Sequence, residues 1–387
     1  MKISIGHAVE GDNFFGREKE LQRIAETWQN KAAGIFIPGP RRIGKTSLVK
    51  EFIRRNNEYK FVYFDLEGRY SIVELCKDLM KEIDSTFPQF IKSKGDFSKK
   101  WNKIHKMVSE IEIGKFIKVK TGELTETLKE MTDKMEDIFT ELYRENFIIA
   151  FDEFSDFLLN LKKNSLDEVK FFLEWMRRLR QQGKIRMIIT GSINIISTIE
   201  ELNFPYLIND MTDVEILPLE TGEVRALLAG LLKDKNITLG VKAADLAAEK
   251  LNDGIPFYIQ LFADGLAFYT GGDRSIDDPG EIKQLYERIT GKQHKEFIDF
   301  HTRLKTHLPS QGEYDAARKI LAHTSRNPMS FDDLYPYIET ILPEKTAVNK
   351  LLKRLSDECY LKKEAGSYGF VSTMLADWWK NHYEWER

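Results

Sequence analysis

"GPRRIGKT", Gly39 to Thr46, follows directly on the short apolar run "GIFIP", Gly34 to Pro38. Its spacing governs how the rest of the chain is read. Two glycines at this interval let backbone N–H groups turn inward where a Cβ would clash. A helix opening near Lys45 adds unpaired N–H groups and the positive end of its dipole. A lysine at that point reaches β- and γ-phosphates, and the hydroxyl beside it ligates Mg2+. Gly39, Pro40, Arg41, Arg42, Ile43, Gly44, Lys45, Thr46 and Ser47 are therefore expected to cradle a nucleotide's phosphates, with Thr46 on the metal.

Outward from this loop, near-continuous apolar runs alternate with helical spacing. Gly34–Pro38, Tyr59–Gly68, Phe147–Phe154, Ile185–Ser192 and Val214–Leu219 read as strands; "TSLVKEFIRR" and the stretch Met131–Tyr143 read as helices. That alternation predicts a parallel sheet covered on both faces. "FIIAFDEF" ends in Asp152 and Glu153 at a strand's carboxyl end, where ligands of α/β folds bind. Asp152 is placed to hold Mg2+ and Glu153 to polarise the attacking water; the alternative is that both are solvated caps of the next helix. In P-loop proteins with a catalytic Glu a strand at this place in the chain inserts between the loop's strand and the Asp-Glu strand, and by that resemblance "IRMIITGS" is expected to do so. Its tip offers Ser192 or Thr190 to the γ-phosphate, against the plainer reading of a strand end. The catalytic set is Lys45, Glu153 and Ser192, and the metal set Thr46 and Asp152.

Residues 88–140 read as an insertion on the sheet's rim. Within it, "SEIEIGKFIKVKTGEL" alternates like a two-stranded ribbon, and the whole is read as a solvated decoration without chemistry of its own. After Leu219 the pattern turns helical up to a break, "TGGDRSIDDPGE". From about Tyr286, helices lead into two short strands joined by Glu364-Ala365-Gly366-Ser367, the order expected of a winged helix-turn-helix. The expected fold is an α/β P-loop three-layer sandwich over 1–219, a helical lid over 220–285 and a winged helix over 286–387.

The 387 residues exceed one ordinary core. A formal net charge of −3 advertises no global affinity for nucleic acid. Two cysteines, Cys76 and Cys359, suit a reducing, cytoplasmic setting rather than a disulfide framework. No apolar run approaches the ~20 residues that span a bilayer, so no membrane partner is expected.

Several short stretches together resemble the prokaryotic "archaeal ATPase" group of P-loop proteins, in the class of signal-transduction ATPases with numerous domains and related to AAA+ proteins. "FFGREKEL" (Phe14–Leu21) resembles that group's N-terminal box, and "GPRRIGKTSL" its P-loop, including Arg41 and Arg42. "FIIAFDEF", "IITGS", "DGIPFYIQ" with its Gly-x-Pro at Gly254 and Pro256, and the closing "FVSTMLADWWKNHY" follow in the group's order. The resemblance implies ATP, with ADP as product. It also implies that Phe15, Gly16 and Arg17 line one side of the base and Pro256 the other. Phe14 and Phe15 have an alternative as a hydrophobic staple for the helix from Glu18, and Pro256 as a helix breaker. Arg41 and Arg42 are the only candidates for an arginine finger towards a neighbouring subunit; the preferred reading makes them solvated loop charges. Turnover by a lone subunit is accordingly expected to be slow.

In the winged helix, Thr346–Leu355 would be the recognition helix, offering Asn349, Lys350, Lys353 and Arg354, with Lys362 and Lys363 at the wing. Glu344, Asp357 and Glu358 dilute this basic face, so a protein contact is preferred to DNA. The favoured function is an ATP-hydrolysing, nucleotide-gated switch for self-assembly or partner binding. The competitors are a DNA-binding ATPase laid out like archaeal replication initiators, and a regulator that holds ATP as a structural ligand.

Overall fold

The computed structural model describes residues 1–29, 34–115, 121–191, 199, 204, 207–291, 295–308 and 310–383. The chain forms two compact units. One comprises Arg17–Gly39 and Leu48–Ile216; the other comprises Met1–Gly16, Pro40–Ser47 and Leu217–Arg387.

The first unit is built on a five-stranded sheet. Its strands are β1 (Gly34–Pro38), β2 (Lys60–Asp65), β3 (Phe147–Asp152), β4 (Met187–Gly191) and β5 (Thr212–Asp213). The order is β2-β3-β4-β1-β5 and every pairing is parallel. β4 thus lies between β1 and β3, as its sequence suggests. β3 is buried along its whole length, which is why "FIIAF" carries no polar alternation. The fifth strand falls earlier than the expected Val214–Leu219. Val214 still donates to the Phe36 carbonyl at 2.8 Å, but the ladder stops there because β1 closes on Pro38, which has no N–H to give.

The expected ribbon is corrected. Gly95–Lys115 and Thr121–Arg144 are helices, so residues 109–115 and 121–124 are helical; 116–120 lie outside the described residues. The two-residue alternation of Ile111 and Ile113 is too short to outweigh a longer helical stripe. Phe97, Trp101, Ile104 and Val108 recur at helical spacing and are all buried. Nor is the insertion a solvated decoration. Those four residues, with Leu128, Met131, Met135 and Ile138, share one core with Val62 and Phe64 of β2 and Phe151 of β3. A charged composition hid this because a helix needs only one apolar stripe to dock.

The second unit is mostly helical. Helices Thr221–Lys233, Val241–Lys250, Pro256–Thr270 and Pro279–Gly291 accompany a parallel pair, β6 (Ile237–Leu239) and β7 (Arg274–Ile276). Lys295–His307 and Gln311–Thr324 follow. Then come β8 (Met329–Ser330), helices Phe331–Ile338 and Lys345–Asp357, the hairpin β9 (Leu361–Glu364) and β10 (Ser367–Phe370), and helix Thr373–Tyr383. The small sheet is antiparallel, in the order β8-β10-β9. Ala365 and Gly366 both have positive φ, 48° and 84°, the geometry that lets two residues join twisted strands. Trp378 and Trp379 anchor the last helix in the core. Among the described residues, no helix is long and apolar enough to cross a membrane.

Candidate nucleotide site

In the second unit, Pro40–Ser47 leads into the helix Lys45–Arg55. Gly44 has φ +105° and nothing within 4 Å of where a Cβ would sit. Open space before a helix N-terminus is what a phosphate needs. Lys45 is only 6% exposed, and its Nζ donates to the Pro40 carbonyl at 3.1 Å. The Ser47 hydroxyl accepts from the Val9 N–H at 3.1 Å, and the Ser4 N–H donates to Gln260 Oε1 at 2.7 Å. These bonds tie the N-terminal segment both to the loop and to the helix Pro256–Thr270.

Arg42 departs from the solvated-charge reading. It takes a left-handed backbone, φ 69°, and its guanidinium carbon lies 3.8 Å from the centre of the Phe257 ring and 5.1 Å from that of Phe300. A weakly hydrated, planar cation gains from such faces, so the charge is held against rings rather than left in water. Cys359 belongs to the same neighbourhood. Burial pushes its thiol up, while the Arg41 backbone and the charge of Lys45 act in the opposite direction. Phe257, Phe300 and Cys359 were not singled out from the sequence. The aromatic after Pro256 was the one available signal, but a ring in an apolar helix reads equally as core.

The Gly-x-Pro segment interrupts the helical pattern as expected. Gly254 has φ +62°, and a Cβ there would come within 2.2 Å of the Leu219 carbonyl oxygen, so only glycine fits. The Leu219 N–H donates back to the Gly254 carbonyl at 2.8 Å. Pro256 then occupies the first position of its helix, where a missing N–H costs nothing. At the N-terminal box, Gly16 has φ 67° and lies near Glu223. Arg17 also has positive φ, 68°; its side chain is almost wholly buried and pairs with Glu20 at 3.1 Å, and its carbonyl accepts from Leu21.

In the first unit, Asp152 closes β3 and is only 3% exposed. Donors from β2, β4 and its own successor in sequence meet its carboxylate. The Tyr63 hydroxyl donates to Oδ2 at 2.5 Å, the Glu153 N–H to Oδ1 at 3.1 Å, and the Thr190 hydroxyl also to Oδ1. Strand register explains the convergence. Tyr63 sits opposite Ala150 and Asp65 opposite Asp152, so all four share one sheet face. Ala150 has only a methyl group, which leaves Tyr63 room to reach along the strand. Burial raises the Tyr63 hydroxyl well above its ordinary range, and the charge of Asp152 adds to this. Glu153 is left-handed, φ 51°, at the N-cap of the helix Phe154–Asn164, yet its side chain makes no capping bond. Neither acid is therefore a solvated cap. Of the two γ-phosphate candidates, Thr190 is engaged with Asp152, and Ser192 lies outside the described residues.

Residues 14–260 match a family described as an ATPase domain predominantly from Archaea. The chain belongs to that family. No curated protein matches it. Among solved structures, the Walker-type ATPase PABY2304 of Pyrococcus abyssi is similar at 21% identity, covering 98% of this chain and 100% of that one with a TM-score of 0.66. An ORC2 protein of Aeropyrum pernix, solved as ADPNP–ADP complexes, is similar at 12% identity, covering 96% and 94% with a TM-score of 0.59. At such identities the likeness shows the fold, that of an ORC-like P-loop ATPase.

Proposed function

We propose that this archaeal-type ATPase binds Mg-ATP, hydrolyses it slowly, and uses the nucleotide to gate self-assembly or the binding of a protein partner. The observation that carries the reading is the placement of Pro40–Ser47 in the same compact unit as the lid and C-terminal helices, with Arg42 against Phe257 and Phe300. A ligand that reshapes this loop acts directly on contacts with residues of those helices. It can shift the unit only by its differential affinity for the two arrangements.

In this reading the loop residues Gly39 to Ser47 hold the phosphates and Lys45 meets the γ-phosphate. Glu153 orients the attacking water and Ser192 contacts the γ-phosphate. Phe15, Gly16, Arg17 and Pro256 line the base. Thr46 and Asp152 are hard oxygen donors of the kind Mg2+ takes. When bound, the metal would neutralise phosphate charge. By role, the reading divides the chain into an ATPase domain, 1–219, a lid, 220–285, and a winged helix, 286–387, working in the cytoplasm; the compact units cut across this division, grouping Met1–Gly16 and Pro40–Ser47 with Leu217–Arg387.

A DNA-binding reading has one observation in its favour. Lys345, Asn349, Lys350 and Lys353 lie exposed along one helix, beside exposed Lys362 and Lys363 of β9. Against it, Arg354 pairs with Glu313 at 3.4 Å, Lys362 with Glu364 at 3.0 Å, and Glu344 is exposed at the helix start. Phosphate contact by so diluted a face would be weak and steeply salt-dependent, which favours a protein partner. The deciding experiment measures mass and small-angle scattering with ADP and with a slowly hydrolysed ATP analogue, each with and without duplex DNA. A change in mass or compaction specific to the analogue is expected. Identical profiles in both nucleotides would end the switch reading, and a DNA complex stable at physiological salt would replace the protein partner by DNA.

A further inference from the structure

We infer that Tyr63 is a positioning residue for Asp152, holding its carboxylate in the orientation that a divalent cation requires. The inference rests on the Mg-ATP reading above and adds a residue from β2 that the loop and the Asp-Glu pair do not include. Three backbone strands converge on one carboxylate. β4 supplies Thr190 and the end of β3 supplies the Glu153 N–H, both to Oδ1, whereas Tyr63 of β2 donates to Oδ2. Without the Tyr63 hydroxyl, Oδ2 loses this donor and the carboxylate loses its hold from β2.

The neighbouring strand adds a reason for such a grip. Asp65 stands directly opposite Asp152 in the β2–β3 register, so two like charges share a face. Cross-strand like charges repel. Asp65 accepts from its own loop, at the Glu67 N–H, 2.9 Å. Tyr63, two residues earlier on the same face, gives Asp152 a donor that offsets the repulsion. The ring has a further contact: Lys50 Nζ lies over it, 4.9 Å from its centre. A charge-assisted hydrogen bond from this ring fixes the carboxylate in turn.

Tyr63→Phe keeps the ring and removes only the hydroxyl. The test titrates Mn2+ into protein with a slowly hydrolysed ATP analogue, reading nucleotide affinity by calorimetry and the bound metal by its electron paramagnetic resonance spectrum. A parallel titration in EDTA gives the metal-free affinity. The Mn2+ concentration for half-maximal tightening should rise ~10-fold, the usual scale for partners that orient metal ligands, with metal-free affinity unchanged. Thr190→Val should shift the same quantity in the same direction. An unchanged Mn2+ midpoint and spectrum in Tyr63→Phe would overturn the inference while leaving the Mg-ATP reading intact. Equal losses with and without metal would assign Tyr63 a merely structural role. A parent chain whose nucleotide binding ignores Mn2+ would remove both.

Discussion

The phosphate loop and the carboxyl end of β3 are both short and polar, yet different forces secure them. Asp152 is held by hydrogen bonds from the adjacent strands and from its own successor in sequence, in positions that parallel register dictates. Arg42 is held by the faces of Phe257 and Phe300, two rings on helices remote in sequence. A sheet interior has one arrangement, because shifting a strand would break every rung. A loop leaning on helices can exchange one set of contacts for another at small cost. In the proposed reading the acid end serves the chemistry, and the loop the coupling.

Substitutions at the two regions should separate these roles. The largest effect is expected from Lys45→Ala, which removes the cation proposed to hold the phosphates. Calorimetry should show Mg-ATP affinity falling ~10²-fold, the scale of losing charge-assisted hydrogen bonds, and scattering should show no nucleotide response. Normal affinity would take the phosphate role from Lys45. Glu153→Gln should slow hydrolysis ~10²-fold, as for loss of a positioned base, while affinity and shape change persist. A parental rate would mean that another group orients the water.

Smaller effects should come from the coupling side. Pro256→Ala is expected to weaken ATP binding ~5-fold, about 1 kcal/mol, the low end of coupling energies, and to blunt compaction. If it binds and compacts like the parent, Pro256 only starts its helix. Arg42→Ala should lower apo stability by no more than about 1 kcal/mol, the order of a partly exposed cation–π contact, seen as a small drop in the thermal midpoint. Its hydrolysis rate per bound nucleotide should stay parental. A large loss in that rate would erase the contrast between loop and acid end.

Much of this site was legible from the chain. The glycine spacing, the Lys-Thr pair and the apolar run ending in Asp152 and Glu153 each state a local requirement of backbone or burial. The placement of β4 between β1 and β3 followed from knowing what kind of loop Gly39–Thr46 is. Tyr63 was not legible, because alternation tells which residues of β2 share a face but not which residues of β3 they face. The insertion misled for a related reason: Ile111 and Ile113 alternate locally, whereas the buried stripe through Trp101 runs at helical spacing over a longer span.

The sequence by itself determined the phosphate loop, the acidic strand end, the parallel sheet and the glycine at 254, since each depends on φ, burial or period within a few residues. Tertiary structure alone decided that the insertion completes the core, that Tyr63 and Thr190 grip Asp152, and that Arg42 rests on Phe257 and Phe300. Those outcomes depend on register between strands and on packing between distant helices, and the free energy of such contacts exists only once the chain has brought them together.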